Sequence, residues 1–200
     1  MKLRPLLLVA AALALAAGAA AAQTSAEKAK ADEAAAMEAY MKLNAPGEPH
    51  RLLAGLAGAW DMEVRTWPAP GAPPSISPGK AETRMIMGGR FVQEAVTSEM
   101  MGMPFEGISL TGYDNIKKKY VGIWMDSMTT GVFHCEGDYD AAAKTLTMTG
   151  TTFDPMAGKE VLARTVTRFE TADRHVFEWH APGPDGKPIT SMEIVYTRRK

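Results

Sequence analysis

From Gly58 to the C terminus, turn residues at regular spacing cut the chain into short segments of alternating side chains, and this rhythm limits the fold more than any other feature. Trp60, Met62 and Val64 alternate with Asp61, Glu63 and Arg65. One face is apolar and the other charged, the period-two mark of a strand with one side on a core. Nine further strands are expected over residues 82–87, 91–100, 105–113, 120–127, 132–139, 145–151, 161–169, 175–180 and 191–198. Between them lie Gly88-Gly89, Gly102, Asp114-Asn115, Thr130-Gly131, residues 140–144, 154–159 and 171–173, and Pro182 to Pro188 with its Asp185-Gly186 pair. Most of these connectors have hairpin length and chemistry. No helical segment intervenes, so the pattern predicts an antiparallel meander, closed into a barrel or folded as a sandwich. Residues 67–78 carry Pro68, Pro70, Pro73, Pro74 and Pro78 and are expected to form an irregular rim loop, because proline has no N–H for a sheet ladder.

The N terminus has a different character. Lys2 and Arg4 precede an apolar run from Leu6 to Ala17, and Ala20, Ala21 and Ala22 follow as small residues. The run is shorter than the roughly 20 residues a membrane span needs, so residues 1–22 are expected to be a secretory signal cleaved between Ala22 and Gln23, with the mature protein periplasmic or secreted and free of membrane spans. No cysteine follows the run to accept a lipid. Residues 23–47 are assigned to an N-terminal helix and linker. Ser25 is the N-cap, Ala, Lys and Glu prevail to Leu43, and the bulky Met37, Tyr40, Met41 and Leu43 gather at the C-terminal end. Pro46 and Gly47 end it. Residues 48–200 then form a single domain, since roughly 150 residues make one core. Cleavage would remove Lys2 and Arg4 and move the formal charge from −1 to about −3, which disfavours nucleic acid as a partner. Cys135 is the only cysteine, so packing alone must stabilise the domain.

Two sets of residues carry a resemblance. Gly58-Ala59-Trp60 resembles the G-x-W start of calycin-like barrels, the lipocalins and fatty-acid-binding proteins, in which a basic residue on the last strand covers the tryptophan. Met192, Ile194 and Tyr196 alternate inward and put Arg198 on the same face, so the resemblance makes Trp60 and Arg198 the barrel-closing pair. The second set is residues 53–60, Met87-Gly88-Gly89-Arg90-Phe91, Gly112-Tyr113-Asp114, Lys118-Lys119-Tyr120 and Trp124-Met125-Asp126-Ser127. In this order they resemble the family called domain of unknown function 1579, over residues 50–198. That implies an all-β, about ten-stranded antiparallel calycin or lipocalin-like barrel and no activity; the N-terminal α-helix that precedes it is read from its own composition and lies outside the shared motifs.

The chemistry-bearing residues favour binding over catalysis. The chain has no H-E-x-x-H, C-x-x-C, G-x-S-x-G or phosphate-cradling glycine loop. His50, His134, His175 and His180 lie apart, and Glu178 with His180 falls on the outer face if Phe177 and Trp179 face the core. Met100, Met101 and Met103 could offer thioethers to Cu(I), but they alternate faces and fit better as adaptable core fillers. No metal or cofactor is expected. The cavity candidates are Trp60, Met85, Met87, Glu94, Trp124, Asp126, Phe133, Met148, Trp179 and Tyr196, a mostly apolar set suited to a small hydrophobic or amphipathic ligand. Two other readings remain open: a hydrolase or isomerase using Glu94 or Asp126 as general base, and a non-catalytic envelope interaction module. Asp126 suits a strand-end cap better than a buried carboxylate, because Asp avoids unpaired burial.

Overall fold

The computed structural model describes residues 25–100, 102–154, 158–183 and 186–200. The leader with its cleavage site lies outside them, as do Met101 and Asp185. Residues 25–45 are a unit of their own, helical over 25–43 (α1), with Met37, Tyr40, Met41 and Leu43 exposed. Residues 46–200 are the second unit.

The second unit begins with α2 (Glu48–Ala54) and continues in ten strands: β1 (Gly58–Thr66), β2 (Ser75–Ile86), β3 (Phe91–Met100), β4 (Met103–Asp114), β5 (Lys119–Asp126), β6 (Phe133–Asp140), β7 (Thr145–Asp154), β8 (Lys159–Thr171), β9 (Arg174–Pro182) and β10 (Pro188–Arg198). Each strand pairs antiparallel with the next and β10 pairs with β1, so the sheet is a closed barrel with no free edge. The proline-rich stretch is shorter than its composition predicts. Ser75, Ile76, Ser77 and Pro78 belong to β2, where they pair only with β1, because the β2–β3 ladder begins at Gly79. With a neighbour on one side only, Pro78 sits where a missing N–H is tolerated. The loop itself is residues 67–74.

One end of the barrel is sealed. Pro49 lies in the first turn of α2, and His50 Nδ1 accepts a hydrogen bond from the Gly47 N–H at 3.0 Å. The helix drives Leu53, fully buried, against Val92, Tyr120, Leu146 and Met148. Trp60 closes the same end: its Nε1 donates to the Leu56 carbonyl at 2.9 Å, and its ring meets His175 and Tyr196 edge-on. Arg198, opposite Trp60 in the β1–β10 register, holds its guanidinium carbon 4.1 Å from the centroid of that ring. Arg198 also donates to the carbonyls of Ala57 at 2.7 Å, Gly55 at 2.8 Å and Ala172 at 3.0 Å. Gly58 makes this approach possible. Its φ of 138° suits only glycine, and a Cβ there would lie 2.3 Å from Arg198 Nη1. The G-x-W segment thus has a physical rationale: the glycine admits the cation that covers the tryptophan.

The Arg198 contacts predict a specific ordering of stabilities. Arg198→Ala removes the cation–π contact and leaves three carbonyls at the sealed end short of a donor, a loss of about 3 kcal/mol. Arg198→Lys keeps the charge without the planar fork and falls between the two. Urea unfolding of the three proteins measures this, and equal midpoints would contradict it.

Candidate functional site

The other half of the barrel is less completely filled. Glu94, Phe105, Ser109, Trp124, Phe177, Trp179 and Met192 point into the lumen and still keep accessible surface, although strands surround them. We read that combination, inward side chains that stay half-exposed, as a hollow at this end of the lumen. Its walls are aromatic and thioether surface, and its floor is the packed cluster of Trp60, Met62, Val64, Ala81, Val96, Ile194 and Tyr196.

Two glycines shape these walls. A Cβ at Gly107 would lie 2.2 Å from the Trp124 ring, and one at Gly150 would lie 2.0 Å from the His134 carbonyl oxygen and 2.8 Å from Phe133, so each ring abuts a strand that has no side chain there. Trp124 stacks on Phe105 with ring centroids 6.3 Å apart. Phe133 of β6 reaches Trp179 of β9 at 4.7 Å, and these strands are not neighbours, so the contact bridges the lumen. Asp126 sits at the rim. Its Oδ2 accepts the Trp124 indole N–H at 2.8 Å, and its Oδ1 accepts the backbone N–H groups of Met128 and Thr129, both at 3.0 Å. It is a turn cap that also fixes the indole.

The polar centre of the hollow is Glu94. Ser109 Oγ on β4 donates to its Oε2 at 3.3 Å, and Tyr196 on β10 shares a hydrogen bond with the same carboxyl. β3 and β10 are separated by β2 and β1, so the Glu94–Tyr196 bond spans the lumen. Burial raises the Glu94 pKa above the usual carboxylate range, and its two hydroxyl partners only partly offset this. Tyr196 is pushed up too, by burial first and then by Glu94. The site therefore holds an acid that keeps its proton longer than a surface glutamate.

The ten cavity candidates separate by height and by face. Glu94, Trp124, Trp179 and Tyr196 converge on the hollow, Asp126 stands at its rim and Phe133 backs Trp179. Trp60, Met85 and Met148 belong to the sealed end. Met87 is outside the lumen altogether: alternation stops at Ile86, and Met87 enters the β2–β3 turn with φ 51° and is 70% exposed. Ser109 and Phe105 were not legible as site residues, because both faces of the strands from Phe91 to Ile123 are apolar and hide the register. His175 was missed although it precedes Phe177 and Trp179 by two and four positions on one face.

Other chemistry lies elsewhere. Glu178 and His180 are on the outer wall, where Glu178 pairs with Arg168 at 2.6 Å and with His180 at 3.0 Å, and His180 Nδ1 meets Thr190 Oγ1 at 3.1 Å. A bulge between Thr190 and Met192 turns Thr190 outward to this contact. The Cys135 thiol is pushed up to about 11 by burial and stays protonated at neutral pH. Among the described residues no cluster of His, Cys, Asp and Glu could hold a metal, and no helix is long and apolar enough to cross a membrane. An outer groove of about 490 Å³ runs over β4, β5 and β6, lined by Phe91, Leu110, Val121 and Ile123. Its Lys117 and Glu136 already pair with each other at 3.4 Å, so it presents no convergent polar group of the kind found at Glu94.

His175 gives the sealed end a pH dependence. It stacks on Tyr196 at 4.2 Å, and burial, helped by the charge of Arg198, lowers its pKa to about 4. An imidazole forced to stay neutral binds its proton more weakly folded than unfolded, so stability is full above pH 6.5 and falls as pH drops toward 4. The loss is about 3 kcal/mol. His175→Phe should lose this part of the acid sensitivity, and urea midpoints measured from pH 7 to 4 test it. Parallel curves for the two proteins would refute the assignment.

Comparisons with known proteins agree with this architecture. The profile of a family described as Protein of unknown function (DUF1579) matches residues 45–198. No protein with a curated description matches the chain. Among solved structures, the crystal structure of Rv2717c from M. tuberculosis superposes with a TM-score of 0.57 at 13% identity, covering 78% of this chain and 100% of that one. The S-type phycobiliprotein lyase CPES from Guillardia theta superposes with a TM-score of 0.50 at 11% identity, covering 80% of this chain and 98% of that one. At such identities the likeness is one of fold.

Proposed function

The chain belongs to the family described as Protein of unknown function (DUF1579), and we propose that it is an exported binding protein that holds a small hydrophobic or amphipathic ligand in the upper lumen of its barrel. The observation that carries this reading is the set of lumenal Phe, Trp and Met side chains that keep accessible surface around one deep carboxyl. Apolar walls with a few convergent polar groups are the usual make-up of a small-molecule site. Rigid rings fixed by Asp126 and by Gly107 and Gly150 supply area at little entropic cost, and the nearby thioether of Met192 adapts to shape.

The Glu94 carboxyl also motivates a second reading, a hydrolase or isomerase in which it moves a proton. A raised pKa suits a general acid. Such chemistry usually needs a second group on the reacting atoms, and the other nearby carboxylate, Asp126, has both oxygens committed to Trp124 and to its own turn. Binding therefore accounts for more of the site than catalysis does.

Titration with lipids and aromatic amphiphiles tests the binding reading. A ligand that enters the hollow changes Trp124 and Trp179 emission saturably and raises the melting temperature. Met192→Trp, which fills lumenal space, should weaken that ligand at least tenfold without lowering the melting temperature of the unliganded protein. No saturable response across the panel would overturn the reading. Export has its own test. N-terminal sequencing of the protein recovered outside the cytoplasm should begin at Gln23, and an intact Met1 start would count against a cleaved signal.

A further inference from the structure

We infer that the ligand of this hollow is a cation: an amphiphile whose protonated amine takes Glu94 as its counter-ion while its apolar part lies on Trp124 and Phe105. The inference rests on the binding function proposed above and adds the chemical class of the ligand.

The starting point is an imbalance of charge. Glu94 is half-buried on the inner face of the barrel, and its two hydrogen-bond partners, Ser109 and Tyr196, are neutral hydroxyls. No lysine or arginine is among the groups that act on it. Among the described residues the barrel cations that form ion pairs do so with other acids: Arg65 with Glu63 and Glu193, Lys117 with Glu136, Lys119 with Asp138, Arg168 with Glu178, Arg174 with Glu170, Arg198 with Asp173, and Arg199 with Asp61 and Glu82. A carboxyl removed from water without a cation is costly, and proteins ordinarily avoid one unless it is paired. Here two hydroxyl groups are turned toward it, an arrangement that favours the ionised form once a counter-charge arrives.

The surroundings suit a cation on the other side as well. Trp124 is held by Asp126 through its indole N–H, stacks on Phe105 at 6.3 Å between centroids and sets the outer edge of its six-membered ring against Gly107, so its orientation is fixed. Tyr196 adds a further ring beside the carboxyl. Aromatic faces around one acid form the usual receptor for an ammonium group, since the negative face of each ring attracts it. The same geometry rejects fatty acids. A ligand carboxylate next to Glu94 would place two like charges in an apolar cavity, and one of them would have to be neutralised.

Calorimetric titration of the full mature chain with decylamine, decan-1-ol and decanoate at neutral pH separates the possibilities, because the three share an apolar chain and differ only at the head. The expected result is decylamine at least tenfold tighter than decan-1-ol, with decanoate the weakest. Glu94→Gln should bring decylamine down to the level of decan-1-ol and leave decan-1-ol unchanged. If that variant does not fold, Tyr196→Phe, which removes one donor from the carboxylate, should reduce the preference for the amine at least threefold. Decan-1-ol binding as tightly as decylamine, or a preference that survives Glu94→Gln, would overturn the cation assignment while leaving the binding function standing. Failure of all three to bind would overturn the cation assignment, while the binding function itself stands or falls with the wider panel of lipids and aromatic amphiphiles.

Discussion

The guanidinium of Arg198 over the ring of Trp60 is the contact on which the closed barrel depends. A ten-stranded meander has two free edges, β1 and β10, and exposed edges invite pairing with other chains. The β1–β10 ladder removes both, and Arg198 locks its end by taking carbonyls from the turn after α2 and from the β8–β9 turn. Three regions distant in sequence are thereby tied to one side chain. With only one cysteine and no disulfide, the fold has no covalent substitute for this closure.

Sealing one end so densely leaves the other end free to do something else. At the sealed end, Leu53, Trp60, His175 and Tyr120 are buried and the rings meet edge-on or stacked. At the open end the same strands carry rings that are fixed but not covered. Gly107 and Gly150 let Trp124 and Phe133 lie against the wall, and Asp126 spends its hydrogen bonds on holding one of them. Glycine in a strand is entropically costly and packs nothing, yet neither position has room for a side chain, since a Cβ at Gly150 would meet the His134 carbonyl at 2.0 Å and one at Gly107 the Trp124 ring at 2.2 Å. The placement of these glycines against aromatic rings produces a shaped, rigid surface around Glu94.

Two titratable groups of the lumen, His175 and Glu94, pull in opposite directions. His175 is kept neutral and opposes acid, so stability from it is lost as pH falls. The Glu94 pKa is raised by burial, so stability from it is lost as pH rises from the ordinary carboxylate range through its raised value. The first belongs to the sealed end and is compensated by packing. The second sits in the hollow, where packing is incomplete and a ligand can supply what the protein does not.

Local chemistry wrote much of the fold into the sequence. Period-two alternation, the Gly88-Gly89 and Asp114-Asn115 turns and the order of the family motifs sufficed to indicate an antiparallel barrel of about ten strands, because strand formation and turn type depend on neighbours a few residues away. Local signals also misled in two places: prolines hid the start of β2 at Ser75, and alternation ran one residue too far, to Met87, before the turn. What only the closed structure decided is which inward residues meet. Glu94 and Tyr196 lie on strands separated by two others, Phe133 and Trp179 likewise, and nothing in their spacing joins them. Only when β10 closes on β1 do opposite walls come within hydrogen-bonding distance, and only then does a glutamate on an ambiguous strand become an enclosed acid in an aromatic hollow.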